Sequence, residues 1–360
     1  MTNAANRLGL DYRDQAQRLG PPVIPITDVH THINGKRASR IYAEAAELYG
    51  VDRLYSMSRI EDVPHLQDLF GDRIRFIAVP NYMGDDPKTA FTTDWLARIV
   101  QFAELGSRIC KFWCAPRSRD YEIEIGIPDL FSLDGEWRKR ALKLATECGM
   151  MFMVHIADPD TWFAGKYTDT ATYGTKMSQY EPLERALSET PDTPWIAAHM
   201  GGNPEDLSFL DGLLSRHANL YLDTSATKWM VRELSAQPRD ELVAFLTRWQ
   251  GRIMFGSDIV SLDDHLGTHA VRPGMGELST SREEAFDLYA SRYWALRTLF
   301  ETEYEGESPI ADPDLHMCEP ETYSPEDAPI LRGKSLPADL RRSLYAEAAE
   351  GLLNAWHDTH

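Results

Sequence analysis

The chain has few cysteines: Cys110, Cys114, Cys148 and Cys318 are the four in 360 residues. None stands in a C-x-x-C pair, which argues against a cysteine metal knuckle or a redox dithiol. So few in so long a chain also exclude a disulfide framework, and a reducing compartment, the cytoplasm, is expected. Basic residues are scarce as well. Lys and Arg number 37 against 56 Asp and Glu, for a formal charge of -19. Such a surface suits neither nucleic acid nor an anionic membrane. It does not bear on a small anionic substrate, because a few local arginines or a metal reverse the field nearby. Long apolar runs are missing too, with none near the roughly 18 residues of a membrane span. The first 25 residues carry Arg7, Asp11, Arg13, Asp14 and Arg18 and lack the apolar core of a signal peptide. What remains is 43% hydrophobic and 26% charged. That is the balance of a soluble globular protein, long enough for one large α/β domain or two smaller ones.

Within that composition, Ile26-Thr-Asp-Val-His-Thr-His-Ile33 stands out. It is apolar at its edges and rich in β-branched residues, so it reads as a buried strand. Side chains alternate across a strand, which puts Asp28, His30 and His32 on one face. Two imidazoles so spaced can reach a common point and ligate a metal. Equally, two ordinary histidines can stand at a strand end, and only partners elsewhere in the chain distinguish the two readings.

After this strand the pattern repeats. Apolar runs predict further strands at Asp52–Ser58, Ile74–Tyr82, Ile109–Cys114, Met151–Ile156, Trp195–Met200, Asn219–Ser225 and Ile253–Ile259. Helical spacing predicts helices between them, over Arg37–Tyr49, Asp62–Phe70, Asp94–Leu105, Gly135–Cys148, Glu181–Ser188, Leu207–His217 and Asp240–Trp249, with a long one at Glu283–Glu301. Eight alternating units imply a parallel sheet. At this length a (β/α)8 TIM barrel over residues 26–300 is expected. A doubly wound open sheet would want G-x-G-x-x-G after its first strand, and Ile33-Asn-Gly-Lys-Arg37 does not supply it.

Three segments fall outside the repeat. Residues 1–25 are polar and end near Gly20-Pro21-Pro22, the pattern of an arm. The loop after the fifth strand, 157–180, carries Trp162, Phe163, Tyr167, Tyr173 and Tyr180, which suits a lid or pocket wall as well as plain packing over a rim. Residues 301–330 hold ten acidic residues, five prolines and no Lys or Arg. They predict a solvated, extended excursion before a closing helix over Ala338–Trp356. The excursion and that helix are candidate contacts for a homodimer.

Active residues of such barrels stand at the carboxyl ends of the strands. Those positions hold His30 and His32, then Lys111 with Arg117 and Arg119 beyond it, His155, His199, Asp223 with Thr224, and Asp258. A buried His or Asp after an apolar run costs free energy unless it is paired or coordinated. One alone can be a satisfied core residue, but the same event at the same end of four strands is hard to reach by chance. His65, His217, His357 and His360 fall in or near helices or the terminus and read as surface residues.

At these positions the chain resembles the amidohydrolase superfamily. The resemblance rests on Asp28-x-His30-x-His32, Val154-His155, Ala198-His199-Met-Gly-Gly, Leu222-Asp223-Thr-Ser and Phe255-Gly-Ser-Asp258. Within the superfamily it is similar to the branch of aminocarboxymuconate-semialdehyde and resorcylate decarboxylases and of lactone and carboxylic-acid hydrolases. It covers residues 25–300 and the final helix. The resemblance implies one divalent metal, usually zinc, held by His30, His32, His155 and Asp258, with His199 acting on substrate beside it. Manganese, iron or cobalt suits the same donors. Two departures stand out. Where many relatives carry Asn after a Tyr in the closing helix, this chain reads Tyr345-Ala-Glu-Ala-Ala. Relatives with two metals bridge them by a carbamylated lysine near the position of Lys111, which otherwise pairs with a carboxylate or with substrate.

The implied roles follow. Three imidazoles and a carboxylate leave a coordination position for water. Asp258 takes its proton, and His199 polarises a carbonyl or steadies an oxyanion. Arg117 and Arg119 grip a substrate carboxylate or are plain loop arginines. Trp162, in the aromatic loop, and His265 and His269, after the last strand, are candidates for touching a small-molecule substrate. Asp28 and Asp223 orient neighbours. Three functions remain open: a hydrolase of an amide, ester or lactone in a small carboxylated molecule; a non-oxidative decarboxylase of an aromatic or unsaturated acid; and a non-catalytic metal-binding barrel.

Overall fold

In the computed structural model, which describes residues 4–267 and 279–360, strands fall in chain order at β1 (Ile26–Ile33), β2 (Val51–Ser56), β3 (Ile74–Phe76), β4 (Ile109–Trp113), β5 (Met151–His155), β6 (Trp195–Ala197), β7 (Leu220–Asp223), β8 (Ile253–Met254), β9 (Ile259–Ser261), β10 (Glu305–Glu307) and β11 (Ile330–Arg332). Helices follow each of the eight barrel-type strands in turn, from Ala38–Leu48 after β1 to Arg282–Glu301 after the β8–β9 segment. This eightfold parallel strand–helix alternation is that of the α/β, (β/α)8 class.

The chain divides into two compact units, residues 1–74 with 224–351 and residues 75–223 with 352–360. In the first, β1 pairs in parallel with β2, Thr31 opposite Ser56, and with β9, Thr31 opposite Ile259. All of β1 but His32 is buried, as expected of a strand covered on both faces. In the second, β4, β5, β6 and β7 run side by side in parallel, with Trp113 opposite His155 and Ala197 opposite both Val154 and Leu222. Arg138 is buried there with its guanidinium 5.0 Å from the Phe131 ring centroid, against an aromatic group of Phe91, Phe131, Trp113 and Tyr121.

Strand ends differ from the sequence expectation where polar residues intrude. The eighth strand reads as continuous over Ile253–Ile259 but is interrupted by Asp258, whose φ is +59°. The Asp258 N–H still donates to the His30 carbonyl at 2.8 Å, so the break bends the chain without leaving β1. The sixth ends at Ala197, because His199 and Met200 are also left-handed. The third stops at Phe76, four residues before Pro80, which has no N–H to donate.

The N-terminal segment is not merely an extended arm. Asp11 caps a helix over Tyr12–Leu19 by accepting from the N–H of Arg13 and Asp14. Its buried face is narrow, Tyr12 and Ala16, and Arg13 covers the Phe286 ring at 3.8 Å. The acidic excursion is not free of the first unit either. β10 pairs antiparallel with β11. Arg232 reaches from the helix Thr227–Ala236 to Asp312 and Asp314, and the Trp229 indole N–H donates to Asp314 at 2.9 Å. Asp312 is 2% exposed, so an opposite charge, not solvent, holds this part of the segment. His217, expected at the surface, is buried and 3.1 Å from Glu184. No helix among the described residues is long and apolar enough to cross a membrane.

Candidate functional site

In the first unit, β1 carries the two histidines and the turn after β8 carries Asp258. Nε2 of His30 lies 3.3 Å, and Nε2 of His32 3.2 Å, from the same Asp258 Oδ1. His30 is fully buried, whereas the His32 and Asp258 side chains are 29% and 28% exposed. On its other side, His30 Nδ1 is 3.0 Å from the Ser225 hydroxyl. Two imidazole nitrogens beside one carboxylate oxygen bring together donor types that a first-row divalent ion takes.

Asp28 lies beneath this group and is fully buried. Its Oδ1 accepts the N–H of both His30 and Ser257 at 3.1 Å, and its Oδ2 accepts from the Tyr293 hydroxyl at 3.0 Å. The Tyr293 hydroxyl in turn meets that of Tyr42 at 2.5 Å. Burial pushes the Asp28 carboxyl up to about 6, and the hydrogen bonds it accepts pull the other way. This carboxylate thus ties the backbone of β1 to the residue before Asp258.

In the second unit, His155 ends β5 and His199 follows β6. Their rings lie 4.5 Å apart, nearly perpendicular at 80°. His199 is buried in a left-handed conformation, φ +59° and ψ +44°, uncommon for a residue other than glycine and characteristic of functional positions. Its N–H donates to Asp223 Oδ1 at 2.9 Å, and its carbonyl accepts from Gly202. Gly202 has φ +74°, and a Cβ there would overlap the Ala157 carbonyl. Lys111 is buried on β4, its N–H on the Ala78 carbonyl at 2.9 Å.

The residues expected at substrate are placed as follows. Arg117 is exposed at the start of the helix Ser118–Ile125. Arg119 is half-buried, with Nη1 2.6 Å from Glu122 and 3.0 Å from Asp129. It lines a cavity of about 430 Å³ in the second unit together with Cys114, Pro116, Ile156, Tyr173 and Gln179. Trp162 is half-buried, its ring 5.7 Å from that of Tyr167. His265 is buried, with Nδ1 3.1 Å from the Tyr289 hydroxyl and its carbonyl accepting from Ser279. His269 lies outside the described residues.

Three residues that support the site were not singled out for that role from sequence. Asp158 is buried against His155 Nε2 at 2.7 Å, and Tyr167 donates to its second oxygen at 2.5 Å. Ser225 supports His30. The only local signal was His155-x-x-Asp158-Pro159, an acid at the start of a long loop.

A family model described as amidohydrolase matches residues 115–353. No protein of curated description matches the chain in sequence. Among solved structures, the chain is similar to an amidohydrolase from Burkholderia multivorans with bound HEPES, at 12% identity over 91% of this chain and 98% of that one, with a TM-score of 0.42. It is also similar to a probable 2-pyrone-4,6-dicarboxylic acid hydrolase from Acinetobacter baumannii with citric acid bound (10%, 75% and 92%, 0.39). A third is the 5-carboxyvanillate decarboxylase of Sphingomonas paucimobilis (12%, 87% and 82%, 0.39). Likenesses this distant carry nothing about activity.

Proposed function

Because the chain belongs to the amidohydrolase family, we propose that it is a metal-dependent hydrolase of a small carboxylated molecule, cleaving an amide, ester or lactone. The observation that carries the reading is the convergence of the His30 and His32 Nε2 atoms on one oxygen of Asp258. In this reading the chain takes one divalent ion, zinc in the first instance, with His30, His32 and Asp258 among its ligands. When bound, such an ion makes a water acidic near pH 7 and polarises a carbonyl.

The chain's own groups do the rest. Asp258 accepts the proton of the attacking water as the new C–O bond forms, and returns it to the departing nitrogen or oxygen as the amide, ester or lactone bond breaks. The ring of His199 donates to the oxygen that gains charge, and Asp223, by holding the His199 N–H, keeps the strained turn in place. Asp28 fixes β1 against the turn that bears Asp258. Arg117, an exposed residue, binds the substrate carboxylate. Arg119 is already engaged with two carboxylates and shapes the cavity beside it, where Tyr173 of the aromatic loop forms part of the wall and Trp162 does not line it.

Turnover of a panel of carboxylated amides, esters and lactones in isotopically labelled water tests the reaction. Hydrolysis places one labelled oxygen in the product. Carbon dioxide release without label would instead assign the family's decarboxylase chemistry to this site. No turnover by a metal-loaded protein would leave the non-catalytic barrel.

A further inference from the structure

Asp158 has a geometry that the reaction scheme above does not use. It stands three residues after His155 and is 3% exposed. A carboxylate in such a place is costly unless donors meet both oxygens. Here Oδ1 is 2.7 Å from His155 Nε2, and Oδ2 accepts the Tyr167 hydroxyl at 2.5 Å. Tyr167 is itself buried, packed against Trp162, Phe163 and Tyr173 at 5.0–5.7 Å between ring centroids. Its N–H is fixed on the Trp162 carbonyl. Asp158 is therefore held by a rigid aromatic group, not by a mobile loop side chain.

A carboxylate only accepts, so a hydrogen bond between Asp158 and His155 needs its proton on Nε2. A neutral imidazole protonated at Nε2 carries its lone pair on Nδ1. His30 is held in the opposite sense, with Nδ1 near Ser225 and Nε2 toward Asp258. The two histidines are thus supported through different ring nitrogens.

We propose that Asp158 is a positioning residue that fixes the tautomer and ring orientation of His155, so that Nδ1 is the nitrogen this histidine offers to a metal, with Tyr167 as the clamp on Asp158. The proposal rests on the metal reading given above. Partners of this kind set ligand basicity and orientation, and losing one weakens metal binding by about 10- to 100-fold.

The test has two arms. In metal-free protein labelled with nitrogen-15 histidine, long-range proton–nitrogen correlation at about pH 8, where an ordinary imidazole is neutral, reports the tautomer directly. His155→Gln identifies the signal. The expected result is Nε2–H in the wild type and in Asp158→Asn, whose side-chain oxygen still accepts, with loss of that preference in Asp158→Ala. In cobalt titrations, Asp158→Ala is expected to bind about 10- to 100-fold more weakly, with Asp158→Asn close to wild type and Tyr167→Phe between them. Thermal melts establish that each variant is folded. If Asp158→Ala does not fold, the Asn and Phe variants carry the comparison. An Nδ1–H tautomer in the wild type overturns the proposal. So does a folded Asp158→Ala with wild-type tautomer and wild-type cobalt affinity. If the wild type shows Nε2–H yet binds no cobalt, the metal reading fails and the orienting role of Asp158 stands.

Discussion

The backbone N–H of Asp258 donates to the carbonyl of His30 at 2.8 Å, while its side-chain oxygen returns to within 3.3 Å of the same residue's Nε2. This two-way contact requires the left-handed backbone at Asp258, φ +59°. Asn and Asp enter that region readily, whereas a β-branched residue does not. Asp258→Asn is therefore expected to melt within a few degrees of the wild type. Asp258→Val should be less stable than the Asn variant by about 1–2 kcal/mol, read by urea unfolding of metal-free protein.

Asp28 gives a pH-dependent stability. Its folded carboxyl is raised from 3.8 to about 6, by burial first. A raised acid favours the folded state when protonated. Its contribution is thus fully present below the unfolded value and is lost as pH rises through about 6. Relative to Asp28→Asn, the metal-free wild type should lose up to about 3 kcal/mol between roughly pH 4 and 6 and change little above that. Urea midpoints of the two proteins across this range measure it. A constant difference would remove Asp28 from the account.

Loss of Gly202 should strike the second unit's histidines. Its φ is +74° and a Cβ would overlap the Ala157 carbonyl, two residues beyond His155. Gly202→Ala adds backbone strain and a clash, so a loss of roughly 2 kcal/mol or more is expected. An equally placed glycine with open space, Gly251 at φ +84°, serves as the control and should lose about 1 kcal/mol in the same substitution.

Removing the Arg232 guanidinium leaves Asp312 buried without its cation. Arg232→Met should cost about 3–5 kcal/mol. It should also increase proteolysis within residues 305–332, since Arg232 reaches both Asp312 and Asp314 there. Asp312→Asn in the same chain should restore part of the loss.

The strand–helix alternation was legible because apolar runs and helical periods mark it directly. Where strands stop was not. At Asp258 and His199 the backbone turns left-handed, a conformation imposed by hydrogen bonds to His30 and Asp223 that are distant in sequence. The Tyr12–Leu19 helix was missed because its buried face is two residues wide and its charges read as a solvated arm. The fixed part of the acidic excursion was missed because Arg232, its counter-charge, lies about 80 residues earlier. Asp158 became visible only once the loop path was known, since it stands beyond the strand end, and Ser225, though at the end of an expected strand, gave no sign in sequence that it meets His30.

The central claim is that His30, His32 and Asp258 are ligands of one divalent ion. Metal content by elemental analysis, on protein purified without chelator above about pH 7, where an ordinary imidazole is neutral, tests it most directly. The account predicts about one divalent ion per chain in the wild type and near-complete loss in Asp258→Ala and His30→Ala variants that melt as folded proteins. No bound divalent metal in the wild type, or undiminished metal in both variants, would contradict it.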